Sequence, residues 1–128
     1  MIRKGLEPNK RVAYFEYDFA MDGGAVGDIT LRGDRLPNDA VITSGMIHVN
    51  TAVTSGGSAT VALKVLSAGD VLAATAKTSL TLNALLDTVP VGTAATAVRT
   101  TSAGLGVTMT VAVAALTAGK ITVALEYL

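Results

Sequence analysis

The chain has 128 residues and a mass of 12.9 kDa, the size of one domain. Ten basic residues balance ten acidic ones, and there is no Cys, no Trp and one His. These counts exclude disulfide scaffolds, thiol catalysis, Fe–S clusters, Cys-based zinc and two-His metal sites, and the neutral balance argues against a domain-wide nucleic-acid footprint.

Met1 to Arg11 reads as an arm, with Arg3, Lys4, Lys10 and Arg11 against one Glu7, plus Gly5 and Pro8. Such a composition orders poorly alone. It is either a frayed terminus or a segment that reaches an acidic neighbour, and its four basic residues are the candidate partner-binding set. A single sandwich domain is expected over 12–128. Val12 to Ala20 alternates as a strand, with Ala13, Phe15, Tyr17 and Phe19 on one face and Val12, Tyr14, Glu16 and Asp18 on the other. Four of the five aromatic residues fall between Tyr14 and Phe19, which marks Phe15, Tyr17 and Phe19 as core. Met21 to Asp28 is a glycine-rich loop. Ile29 to Arg32 is a short strand, and Gly33 to Asp39 is a turn marked by Pro37 and Asn38.

Ala40 to Thr54 predicts a long strand with an irregularity near Ser44-Gly45. Val41, Ile47 and Val49 share one of its faces, while Ile42, Met46 and His48 share the other. Apolar residues on both faces suit a central strand, a bulge or an interface. Ser55-Gly56-Gly57-Ser58 is a hairpin turn, followed by a strand from Ala59 to Leu66. Gly69 to Lys77 is the one helix candidate, with Asp70 as N-cap before an Ala-rich run. Leu80 to Leu86 reads as extended, Asp87 to Gly92 as a break around Pro90, and Thr93 to Thr101 as strand-like. Val107 to Val113 and Ile121 to Tyr127 alternate cleanly.

About eight strands separated by turns predict an all-β fold, an antiparallel β-sandwich with at most one short helix near 70–77. Val61-Ala62-Leu63-Lys64-Val65-Leu66 echoes Val123-Ala124-Leu125-Glu126-Tyr127-Leu128, and each follows a Gly-bearing turn. Two equivalent halves suit a jelly roll of two Greek keys; chance similarity of simple strands is the alternative. With half the residues hydrophobic but 4% aromatic, the core is built of Ala, Val, Leu and Ile. Small side chains bury little area each, so the domain is marginal alone and gains from association.

Residues 1–40 hold six Lys/Arg and seven Asp/Glu, whereas 41–128 hold four and three. An ordinary domain is about 25% charged. The charge-poor surface is either covered by other protein or coated with Thr hydroxyls in solvent. Ala103 to Leu116, the longest low-polarity stretch, is too short to span a bilayer.

No residue set points to catalysis, a cofactor or a metal. His48 sits between Ile47 and Val49 with no nucleophile marked for it. Glu16 and Asp18 share a strand face, but glycoside hydrolysis also needs a cleft with aromatic platforms. Asp22 and Asp28 flank a glycine-rich loop without EF-hand spacing. Asp34 and Asp39 bracket a turn. Arg32-Gly33-Asp34 matches an adhesive tripeptide, and a Gly-Asp turn explains it equally. Tyr14 is the best exposed aromatic for a glycan.

Gly27-Asp28-Ile29-Thr30-Leu31-Arg32-Gly33, Leu36-Pro37-Asn38-Asp39-Ala40-Val41-Ile42, Thr54-Ser55-Gly56-Gly57-Ser58-Ala59-Thr60-Val61 and Leu116-Thr117-Ala118-Gly119-Lys120-Ile121 resemble strings of small tailed-bacteriophage virion proteins that decorate or cement a capsid. The resemblance spans Val12 to Leu128 and brings no catalytic residues. It implies a jelly-roll sandwich, made in the host cytoplasm, that associates with itself and binds the major capsid protein on the virion surface. A homotrimer is favoured over a dimer; the first suits threefold sites and the second twofold ones. A head fibre, tail or baseplate component is the alternative virion role, and a carbohydrate-binding or adhesive module is the alternative class. No nucleic acid or membrane is expected as a partner.

Overall fold

The strand periodicities read from the sequence assemble into two antiparallel sheets, and the computed structural model describes residues 10–128. One sheet contains β1 (Arg11–Asp18), β3 (Arg32–Gly33), β4 (Val41–Ser55), β7 (Leu85–Val91), β8 (Val98–Arg99) and β10 (Leu116–Tyr127). The other contains β2 (Gly27–Thr30), β5 (Thr60–Lys64), β6 (Leu72–Ala76) and β9 (Thr108–Ala112). Setting aside the two-residue pieces β3 and β8, the orders are β1-β10-β4-β7 and β2-β9-β5-β6. This is the winding of a jelly roll made from two Greek keys.

A shift of four major strands maps one sheet onto the other. It takes β5 to β10, so the two echoing strings lie on topologically equivalent strands. The inward faces form one apolar core, in which Phe15 and Tyr17 are the largest side chains and Val, Ile and Leu supply most of the rest. Tyr17 is seated by its hydroxyl, which donates to the Gly23 carbonyl at 2.5 Å. Burial, with Asp22 and Asp18 nearby, pushes its pKa up to about 12.

Four expectations need correction. The helix expected near 70–77 is absent: Leu72–Ala76 is strand β6, paired with β5. Asp70 closes the preceding turn instead, its carboxylate accepting from the N–H groups of Val65, Leu66 and Ser67 at 2.7–2.9 Å. Pairing and burial of Val71 and Leu72 outweigh the helix preference of Ala. The short helix is α1 (Phe19–Asp22), where the strand was expected to continue. Asp18 caps it by accepting from Ala20 N–H, and Gly23 ends it at φ 75°.

The break expected at Asp87–Gly92 is strand β7. Pro90 is tolerated there because β7 is a sheet edge and bulges: Ser44 faces Val91 while Met46 faces Asp87. Conversely, Thr93 to Thr101 is mostly turn, with only Val98–Arg99 paired. The irregularity expected near Ser44-Gly45 is present: on the β7 side the register shifts between Ser44 and Met46, and on the β10 side it shifts at Thr43, since Ser44 faces Glu126 and Ile42 faces Tyr127. One extra residue reverses the side-chain alternation, so Ile42 and Ile47 both point inward. Gly45 follows at a close approach, where a Cβ would lie 2.6 Å from the Ala124 carbonyl oxygen and 2.8 Å from Leu125.

Candidate interaction face

Strand register builds a face from alternate residues of β1, β10, β4 and β7. Three rows cross it: Val12, Glu126, Ser44 and Val91; Tyr14, Ala124, Met46 and Asp87; Glu16, Thr122, His48 and Leu85. Met46 and Leu85 are 52% and 64% exposed, and Val12, Tyr14 and Val91 are exposed beside them. Most polar residues of the face are already engaged, the exposed Asp87 excepted. Thr122 donates to Asn50 Oδ1 at 2.7 Å, the Asn50 amide meets His48 Nδ1 at 3.1 Å, and Ser44 donates to Glu126 at 2.9 Å. Lys120 lies 3.9 Å from both Glu16 and Asp18, which places charges of both signs at one end. The centre is therefore apolar, with hydroxyls, paired charges and the single carboxylate of Asp87 around it.

The outer face of the other sheet differs. Its rows read Asp28, Thr110 and Ala62, then Thr30, Thr108 and Lys64. No large apolar side chain of its strands is exposed. One outer face is thus coated with Thr and Ala, and the other presents an apolar patch.

The residues singled out in the sequence fall as follows. Arg3 and Lys4 lie outside the described residues. Lys10 is exposed, and Arg11 opens β1 opposite Tyr127 rather than belonging to an arm; neither forms an ion pair with another described residue. His48 touches Asn50 and no carboxylate. Asp22 and Asp28 do not converge. Asp22 accepts from Arg32 through both oxygens, at 3.1 and 3.2 Å, and from the Asp18 N–H at 2.8 Å. Burial works against its ionisation, but the Arg32 bond and charge with the Asp18 N–H outweigh it and hold the pKa below the ordinary carboxylate value. Asp28 accepts from Thr110 and pairs with Lys64, which lowers its pKa too.

Among the described residues, no group of three or more His, Asp and Glu is placed to hold a metal. Arg32-Gly33-Asp34 is exposed in part but tied into the fold at each residue. Arg32 is tied to Asp22, a Cβ at Gly33 would overlap the Tyr14 carbonyl, and Asp34 accepts from the Tyr14 N–H at 3.0 Å. A shallow open groove beside it is lined by Tyr14, Glu16, Arg32, Asp34 and Thr122. Asp39 pairs with Arg99. Sequence reasoning placed Met46 and His48 on one face and read Leu85 as extended, but it missed Val91 because it read 87–92 as a break, and it did not place Leu85 beside His48 because strand pairing is not local.

No protein-family model matches the sequence, and no curated protein matches it. Solved structures do. A chain of the cyanophage Pam1 capsid asymmetric unit superposes with a TM-score of 0.67 over 99% of this chain and 89% of that one, at 20% identity. A chain of the Ralstonia phage GP4 capsid superposes with a TM-score of 0.64 over 100% of this chain and 90% of that one, at 15% identity. The fold is one found in phage capsids. The likeness runs through the whole sandwich and not through a single hairpin or sheet.

Proposed function

We propose that this chain is a phage virion protein that binds the outside of the capsid as an oligomer and stabilises it. The observation that carries the reading is the apolar outer face of Tyr14, Met46, Leu85 and Val91, on a sandwich shared end to end with chains of two phage capsids. Copies associate through this face, which has the apolar centre and polar surround of a protein contact. A trimer is the favoured state. The major capsid protein is the second partner, met at many identical sites, so weak contacts add through avidity. The role calls for rigidity and surface, not for catalysis.

The test is addition of purified chain to capsid shells lacking it. Saturable binding, a discrete oligomer in solution and a higher shell-rupture temperature are expected. A chain that stays monomeric at high concentration and leaves shells bare refutes the proposal, and labelling confined to tails moves the protein to another virion part.

A further inference from the structure

Three connections meet at one end of the sandwich: α1 with the loop after it, the turn between β4 and β5, and the turn between β9 and β10. They are tightly joined. Leu116 N–H donates to the Gly24 carbonyl at 2.8 Å, and a Cβ at Gly24 or Gly57 would lie 2.7 Å from Leu116 or 2.9 Å from Ala114. Pairing of Gly27 with Val111 brings Val26 alongside the end of β9. Met21, Val26 and Val113 are 69%, 59% and 73% exposed, the first and last being the most exposed large apolar residues of those described.

The backbone at Val113 is strained. Its φ is 74°, and Ala114 N–H donates to the Ala112 carbonyl at 2.9 Å. This is a γ-turn of the positive-φ hand, the rare and strained form, and a β-branched residue suits it least. Gly would relieve the strain, yet the chain carries Val with its side chain in solvent. Strain kept at an exposed position points to a role outside the isolated fold. The three connections contain no Lys or Arg, and Lys77, which opens the connection from β6 at the same end, is half-buried with its ammonium donating to the Ser55 carbonyl at 3.0 Å. Asp22 is held by Arg32, and Asp28 at the loop margin by Lys64. A tip whose only nearby lysine is turned onto a backbone carbonyl, and whose carboxylates are paired, suits an apolar protein pocket better than phosphates or anionic lipid.

We propose that Val113, with Val26 and Met21, is a knob that seats in an apolar pocket of the capsid shell protein. The proposal rests on the capsid-binding reading for its partner. Copies related by a cyclic axis through the sheet faces present identical tips toward one side, so one oligomer engages several shell sites together.

The test uses Val113→Gly, which fits the backbone and removes the knob, and the double variant Met21→Ser with Val26→Ser. Each is assayed for oligomer mass, thermal midpoint and co-sedimentation with capsid shells lacking the protein. Val113→Gly is expected to keep its oligomer mass, melt no lower than the parent, and bind shells at least about tenfold more weakly. Parent-like shell binding by both variants overturns the knob while leaving the capsid-binding reading intact. Loss of oligomer mass assigns the tip to the copy contact and overturns the shell assignment. A parent chain that binds no shells removes the capsid-binding reading itself, and the knob's partner with it.

Discussion

Met46→Lys separates the folding of one copy from the proposed association of copies. Met46 lies at the centre of the outer face, half exposed, with Ala124 on one side and Asp87 on the other. In the isolated copy, the introduced lysine would stand opposite Asp87, a cross-strand pair worth roughly 0.2–1 kcal/mol. The fold should therefore keep its stability to within about 0.5 kcal/mol, as is usual for surface changes. Association faces different terms. The exposed half of the Met side chain contributes about 1 kcal/mol when buried, taken as half of the roughly 1.5–3 kcal/mol for a whole one. Burying an ammonium adds a penalty of several kcal/mol, which Asp87 offsets only in part.

A net loss of about 3 kcal/mol per contact weakens association at least about 100-fold. Sedimentation equilibrium across a concentration series measures this, with circular dichroism and a melt at low concentration to confirm the fold. Parent-like oligomer mass for Met46→Lys, with the fold intact, refutes the assignment of this face as the copy contact.

Other consequences follow from the packing. Gly45→Ala forces a Cβ against Ala124 and Leu125 in a central strand, and should cost about 2 kcal/mol, or roughly 6–8 °C in thermal midpoint. Gly56→Ala meets nothing within 4 Å and serves as the neutral control for the same melt. Asp70→Ala leaves the N–H groups of Val65, Leu66 and Ser67 without their acceptor, so their hydrogen exchange should accelerate while the core of β10 stays protected. For Asp22, the folded-state pKa lies below its ordinary 3.8, so its contribution is present above that pH and is lost as pH falls through the lowered value. Asp22→Asn should flatten that part of the acid denaturation curve. An unchanged acid limb in the variant would dismiss the Asp22–Arg32 pair as a source of acid sensitivity.

The sandwich was legible because period-two alternation survives in β1, β5, β9 and β10, where one face is apolar and the other is Thr, Ala or charge. The helix expected at 69–77 failed because its Ala residues carry no periodicity, and propensity was the only signal there. Pro90 read as a breaker because one chain does not show which strand forms an edge. The outer face was half legible: Met46 and Tyr14 stood out, but Leu85 and Val91 needed β7 to be recognised.

By itself, the sequence determined an all-β chain with an aliphatic core, no thiol and a single His, because composition and alternation are local properties of the chain. Tertiary structure alone decided which sheet face is apolar, where β4 shifts its alternation, and that Val113 is strained and exposed. Those features arise from register and from the meeting of distant segments, such as Met46 between Ala124 and Asp87, and no local window of residues contains both partners.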